Sequence, residues 1–202
     1  MIRILPFLIV LLVWPSVSRA EVELRDGDII FQVSTSSQSL AIQRATRSPY
    51  SHMGMLVYRN GKPFVLEASA TVRFTSLTAW ISRGEGGHYV VKRLRETAGR
   101  ITPDTMAKVR AYAHRFLDRR YDLTFEWSDS RIYCSELVWK IYAHVLDLRI
   151  GELQTLREFD LSDPAVQAKI RERYGVNVPL DEPVISPAAM FNSPLLELVV
   201  EQ

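Results

Sequence analysis

The run from Tyr50 to Ser69, YSHMGMLVYRNGKPFVLEAS, holds the key to the fold. Asn60-Gly61 is the strongest two-residue pair for a hairpin turn. It is flanked by two apolar runs, Met53 to Tyr58 and Phe64 to Ala68. With Asn60 and Gly61 at the turn, Arg59 pairs with Lys62. Counting outward sets Gly54 opposite Glu67 and His52 opposite Ser69. Side chains two apart on a strand share a face, so His52, Gly54, Glu67 and Ser69 lie together. His52 and Glu67 become diagonal neighbours, with a glycine leaving space between them. A carboxylate beside an imidazole fixes its tautomer and supports its charged form. The plain alternative is an ion pair on a solvated sheet face. Pro63 fits this hairpin with its missing N–H turned away from the partner strand.

Outward from the hairpin, the chain shows no repeat, no low-complexity stretch and no linker. Glu21 to Val33 reads as a strand entered through a turn at Asp26-Gly27-Asp28. Gln38 to Ala45 reads as a short helix ended by Pro49. Leu77 to Ser82 is a second short helix, Gly84 to Gly87 a loop, and Tyr89 to Leu94 a strand rich in β-formers. Thr102-Pro103 opens a helix, threonine as cap and proline at its first position. Its apolar stripe is Met106, Val109, Ala113, Phe116 and Leu117. Arg119 to Ser130 is irregular and aromatic. Ser135 to Leu148 is helical, with Leu137, Val138, Ile141, Tyr142, Val145 and Leu148 on one side. Pro164 to Tyr174 is helical again, and the rest is punctuated by proline to Leu195. The expected class is α+β, a small antiparallel sheet packed against helices.

The chain has 202 residues, 25 basic and 23 acidic side chains, and 47% hydrophobic residues. That supports one ordinary domain with a buried core. The first twenty residues carry Arg3 and Arg19 and no acid, so residues 21–202 balance 23 bases against 23 acids. A net charge of zero removes nucleic acid as a partner by composition. Residues 1–20 have the layout of a secretory signal peptide. Arg3 is at the start, an apolar run follows from Ile4 to Val17, and Ser18-Arg19-Ala20 places small residues before the cut. The run is short for ~30 Å of hydrocarbon and is broken by proline. The expectation is a cleaved leader, a single domain over 21–202, a periplasmic or secreted location, and no integral membrane anchor after cleavage.

Cys134 is the only cysteine. It forms no internal disulfide, and it reads either as an inert buried thiol or as a nucleophile. It stands where the aromatic loop meets a helix. Unpaired N–H groups and the helix dipole favour a thiolate there, and can hold an oxyanion. Of four histidines, His114 and His144 lie in helical patterns and His88 lies in a glycine-rich loop, leaving His52 as the base candidate. The histidines lack zinc-site spacing, and one cysteine builds no thiolate cage, so no metal or cofactor is expected. Arg73, Arg83, Arg93, Arg95 and Arg100 make a basic middle region, expected to be solvated surface rather than a carboxylate site.

Tyr133-Cys134-Ser135-Glu136-Leu137-Val138 resembles the nucleophile motif of NlpC-type papain-like cysteine hydrolases. Leu117 to Tyr121 is similar to the leucine-glycine-x-proline-tyrosine stretch upstream of that cysteine. Gly27-Asp28-Ile29-Ile30-Phe31 and Tyr50-Ser51-His52-Met53-Gly54 resemble two further blocks. In the standard family cysteine precedes histidine. The reversed order here resembles the circularly permuted branch, the YaeF/YiiX-type permuted papain-like amidases, from about Glu21 to Pro194. The resemblance implies a permuted papain-like fold with Cys134 as nucleophile, His52 as base and Glu67 as third member. It implies Tyr121 at the pocket, with Ser135, Ser51, Glu136 and Asp28 as further candidates for the oxyanion site or the pocket. Asp118 stands in place of the usual glycine, Arg119-Arg120 in place of x-proline, and Glu136 in place of a common glycine. Together with export, the resemblance points to an amidase or peptidase on cell-wall peptides, its partner a peptide or acyl-amide substrate. Two other readings stand beside it. One is a lipid acyltransferase or esterase with the same triad, as in lecithin-retinol acyltransferase-type enzymes; a long apolar groove would favour it, and the apolar tail around Val184 to Leu198 is available to line one, though such residues more often simply pack. The other is a non-catalytic module that binds an envelope ligand.

Overall fold

The computed structural model describes residues 22–95 and 101–202. The expected leader at 1–20, and Arg100 of the basic region, lie outside the described residues. In chain order the elements are β1 (Ile29–Gln32), α1 (Ser39–Thr46), β2 (His52–Arg59), β3 (Lys62–Ala68), β4 (Val72–Ser76) and α2 (Leu77–Ile81). Then follow β5 (Val90–Leu94), α3 (Pro103–Ala113), α4 (Cys134–Leu146), β6 (Gln154–Thr155), α5 (Pro164–Tyr174), β7 (Pro183–Val184), α6 (Pro187–Phe191) and β8 (Leu196–Glu201). Six strands form one antiparallel sheet in the order β4-β3-β2-β1-β5-β8, and β6 pairs with β7 apart from it. The chain is α+β, as its sequence pattern predicts.

The hairpin sets the frame. Asn60 and Gly61 both have positive φ, 50° and 71°, as the tight hairpin turn requires. Arg59 pairs with Lys62 and Met55 with Leu66, the register the turn predicts. Gly54 is needed where it stands: a Cβ there would lie 2.8 Å from the Leu66 carbonyl oxygen. Alternation along the strands separates two apolar faces. Ile29, Phe31, Met53, Met55, Val57 and Leu66 pack with α3 and α4. Ile30, Leu56, Val65 and Val91 pack under Trp80 of α2.

The sequence reading contains no strand at 72–76 and none at 196–201. β4 is short, and its polar side chains have a structural reason. Arg73 pairs with Glu67 and Thr75 with Val65 across the ladder, so the polar face of β4 turns toward the Glu67 carboxylate. Val72 and Phe74 face the core instead. β8 is an edge strand on β5, with a register shift at Val91/Lys92. The end of the apolar tail pairs in this ladder, with Leu198 exposed on the edge. No described helix is long and apolar enough to cross a membrane.

Candidate active site

Cys134 is the first residue of α4, and the helix begins because Tyr133 is extended (φ −101°, ψ 170°) and its N–H donates to the Glu136 carboxylate at 3.3 Å. α4 packs on β2 and β3. Its start therefore meets the first residue of β2, His52. The thiol is 2% exposed and the imidazole residue 8%. His52 Nε2 lies 2.7 Å from Glu67 Oε2, which leaves Nδ1 as the ring nitrogen for Cys134. Trp80 stacks on the other side of the ring, with centroids 5.8 Å apart.

The electrostatics of these three groups are interlocked. Burial alone pushes the Cys134 thiol up. The His52 imidazole and the backbone N–H groups of Met53 and Ser135 outweigh it and hold the thiol below its ordinary value. Burial pushes His52 down, but hydrogen bonds and charge from Cys134 and Glu67 raise it to about 9. Burial pushes Glu67 up, yet His52, Thr75 and Arg83 bring it to about 2. Thr75 Oγ1 donates to Glu67 Oε1 at 2.5 Å, Arg83 Nη2 donates to the same oxygen, and Arg73 lies 3.7 Å away. The lowered thiol and the raised imidazole favour a thiolate beside an imidazolium, backed by an ionised carboxylate. That pair can attack a carbonyl and protonate a leaving group.

Tyr121 stands beside the sulfur, and the Cys134 charge together with burial raises its phenol well above the ordinary range. The segment before it is pinned along the end of β4. Asp118 N–H donates to Val72 O at 3.0 Å, and Tyr121 N–H to Ala70 O at 3.0 Å. Asp118 has φ 64°, a left-handed backbone that aspartate tolerates. Replacement of the expected glycine therefore leaves the turn intact. Gln38 Nε2 donates to the Tyr121 hydroxyl at 3.1 Å, and Arg173 Nη2 donates to Gln38 Oε1 at 2.6 Å. This relay from α5 through the residue before α1 fixes the phenol over the thiol.

An apolar groove opens from Cys134 and Ser135. Ala41, Ile42, Phe159, Val166, Ile170 and Ile185 are among its walls. Its far wall is clamped to the start of α4 from both sides. Ser135 Oγ donates to Ile185 O at 2.8 Å, and Ile185 N–H donates to the Tyr133 hydroxyl at 3.1 Å.

A family model described as permuted papain-like amidase enzyme, YaeF/YiiX, matches residues 23–200. The chain belongs to the permuted papain-like amidases. Among relatives of this family, a protein recorded as "Uncharacterized protein YiiX" from Escherichia coli is 53% identical over 176 residues, covering 87% of this chain and 86% of that one. A solved structure of yiiX from the same species aligns with TM-score 0.84 at 53% identity, covering 88% of this chain and 97% of that one. That structure is described as a metalloprotein. The donors here do not form a cage. His52 gives Nε2 to Glu67, and among the described residues no three His, Cys, Asp or Glu side chains gather as metal ligands.

Of the candidates read from the sequence of this permuted amidase, the fold brings together Cys134, His52, Glu67, Tyr121 and Ser135. Three others fall away from the groove, and each is a correction. Asp28 is buried in an ion pair with Arg93, 2.7 Å from Nε, and accepts from the Arg25 N–H at 2.8 Å, so it ties β1 to β5. Ser51 Oγ accepts from the Ser34 N–H at 2.9 Å and meets Ser39 Oγ at 2.6 Å, which fastens the loop before α1. Glu136 points into the body of α4, where Lys140 Nζ lies 2.7 Å away. It therefore does not line the groove. The basic region is corrected too: Arg83 and Arg73 serve Glu67, and Arg93 serves Asp28. Thr75, Trp80, Gln38 and Arg173 escaped the sequence reading. Only Thr75 left a trace, as a polar residue alternating with Val72 and Phe74.

Proposed function

We propose that this chain is an exported cysteine amidase in which Cys134 is the nucleophile, His52 the acid and base, and Glu67 the group that orients His52. The observation that carries this is the buried Cys134–His52 pair at the start of α4, with the thiol lowered and the imidazole raised. The thiolate attacks an amide carbonyl carbon, and a C–S bond forms. The N–H of Ser135 and the Tyr121 hydroxyl face the oxyanion. His52 gives its proton to the amine as the C–N bond breaks. Water then adds to the thioester, its proton passes to His52, and the acid leaves as the C–S bond breaks. Proton transfer of this kind contributes about 10²–10⁴ in rate.

The acyl half of the substrate lies on the Cys134 side, because that half becomes bonded to sulfur. Its walls there are aliphatic and aromatic. Lys169 and Arg173 border the groove as well, but most of its lining is apolar, and an apolar acyl chain suits it better than a cell-wall stem peptide with its several charged groups. The groove also supports a second reading, an acyltransferase or esterase that forms the same thioester from a lipid ester. Export rests on the leader layout of residues 1–20.

The deciding experiment incubates full-length mature protein with an N-dodecanoyl amide, a phospholipid and muropeptides, and follows free acid and amine by mass spectrometry. Amide turnover lost in Cys134→Ala supports the proposal. Turnover of the phospholipid alone shifts it to the second reading, and turnover of muropeptides alone restores the cell-wall substrate. Activity that survives Cys134→Ala overturns it.

A further inference from the structure

The Cys134–His52 pair opens onto two surfaces of opposite character. The apolar groove takes in Cys134 and Ser135 but not His52, whereas a second depression takes in His52 but not Cys134. Tyr121, Gln38, Lys169 and Arg173 border both. The second depression is a cleft edged by the loop from Ser34 to Gln38 and by Ser69, Ala70 and Thr71. Its charged lining is Arg83, Arg120, Lys169 and Arg173 against a single acid, Glu172.

Pairing removes two of those four charges. Arg83 is taken by Glu67, and Lys169 Nζ lies 2.6 Å from Glu172. Arg120 is exposed and makes no ion pair among the described residues. Arg173 donates only to the neutral Gln38 amide, and its guanidinium sits 5.2 Å over the Phe125 ring. Two positive charges are thus left without an ion-pair partner among the described residues, in a cleft beside the base where Glu172, already paired with Lys169, is the one acid.

The chemistry gives each surface a side of the scissile bond. The leaving amine takes its proton from His52, so the amine half of the substrate lies on the His52 side. We propose that this amine half carries an anion, a carboxylate or a phosphate, received by Arg120 and Arg173. The substrate class is then an N-acyl amide with an apolar acyl group and an anionic head. Arginine suits both anions because its planar fork matches carboxylate and phosphate geometry. The inference rests on the amidase reading for its orientation.

The test measures binding to full-length mature Cys134→Ala, which holds ligand without turning it over. Three probes share one acyl chain: N-dodecanoylglycine, N-dodecanoyl-O-phosphoethanolamine and the neutral N-dodecanoylethanolamine, each below its micellar concentration. The expected result is about tenfold tighter binding of at least one anionic probe than of the neutral one, the combined effect of two partly exposed charge pairs. That advantage shrinks between about 0.05 M and 0.5 M salt as the Debye length shortens. It collapses toward parity with Arg120→Gln and Arg173→Gln combined, and returns in part with Arg120→Lys. The tighter of the two anions tells an amino-acid head from a phosphate head. Equal affinities for all three probes overturn the proposal, as does an anionic advantage that survives the double substitution. Turnover by the wild type is followed in parallel. A cleft that prefers anions in a protein that hydrolyses no amide overturns the amidase reading alone. Turnover without any preference overturns the cleft alone.

Discussion

Glu67 and Glu136 are equally buried, both fully hidden from solvent, yet they are driven in opposite directions. Glu67 is brought down to about 2 and Glu136 is pushed up to about 7. Burial raises both, so the difference lies in what surrounds each carboxylate. Glu67 receives His52, Thr75 and Arg83 directly, with Arg73 at 3.7 Å. Glu136 has Lys140 and one backbone N–H, and the nearby Asp122 charge works against it. The first environment holds a permanent negative charge behind an imidazole. The second holds a helix cap whose charge is marginal at neutral pH. A buried carboxylate near the proposed nucleophile is therefore no sign of a role in the reaction until its donors are counted.

The sharpest way to break this contrast is to remove the group that Glu67 supports. In His52→Ala, alkylation of Cys134 by iodoacetamide at pH 6 falls by at least about tenfold, because the thiol loses the imidazole that lowers it while burial still pushes it up. Wild-type labelling that is already slow at pH 6 would show that no thiolate–imidazolium pair exists. Next, Glu67→Gln lowers kcat/KM by about 10²-fold while Glu136→Gln changes it by less than about threefold, since only the first loses a group that orients the base. Equal losses in the two variants would erase the distinction between them.

The legible part of this site was the part set by local geometry. Asn60-Gly61 fixes its own register, and that register carries His52 to Glu67 across one strand pair. The helix cap Thr102, which accepts from the Thr105 N–H at 3.1 Å, and the start of α5 at Pro164 are likewise written in short-range sequence. What escaped depends on distant pairing. Gln38 and Arg173 stand far apart in the chain and meet only because α1 and α5 pack together. β4 was hidden because Arg73 and Thr75 look like surface residues until Glu67 is seen beneath them. Asp28 was misplaced for the converse reason: a conspicuous acid in a familiar block is satisfied by Arg93 across the sheet.

The smaller effects are on stability, and there the two carboxylates have opposite signs. Glu67 has a folded value near 2 against an ordinary 4.5, so its stabilisation is present above about pH 4.5 and is lost as pH falls toward 2. Glu136 has a folded value near 7 against 4.5, so its contribution is present below about pH 4.5 and is lost as pH rises through 7. Urea unfolding of Glu136→Gln should therefore gain on the wild type between pH 5 and pH 8 by about 1–3 kcal/mol. His52 adds its own loss in the window from 6.5 to about 9, which is common to both proteins and cancels in the difference. A difference that stays flat across that range would mean that Lys140 holds Glu136 ionised throughout.

The last prediction concerns the wall of the groove rather than the charges beside it. Ser135→Ala removes the hydroxyl that donates to the Ile185 carbonyl. The carbonyl is left buried without that partner, at a cost of about 1–3 kcal/mol. The Ile185 N–H keeps its bond to the Tyr133 hydroxyl, so the wall loosens at one end and does not detach. Binding of a dodecanoyl amide should weaken by about threefold to tenfold, the range that one lost neutral hydrogen bond supports. Iodoacetamide, too small to need that wall, should label Cys134 at nearly the wild-type rate, because the Ser135 N–H that helps to stabilise the thiolate belongs to the backbone. If labelling slows in step with amide binding, the Ser135 hydroxyl acts on the thiolate itself, and the separation between an electrostatic centre and an apolar wall does not hold.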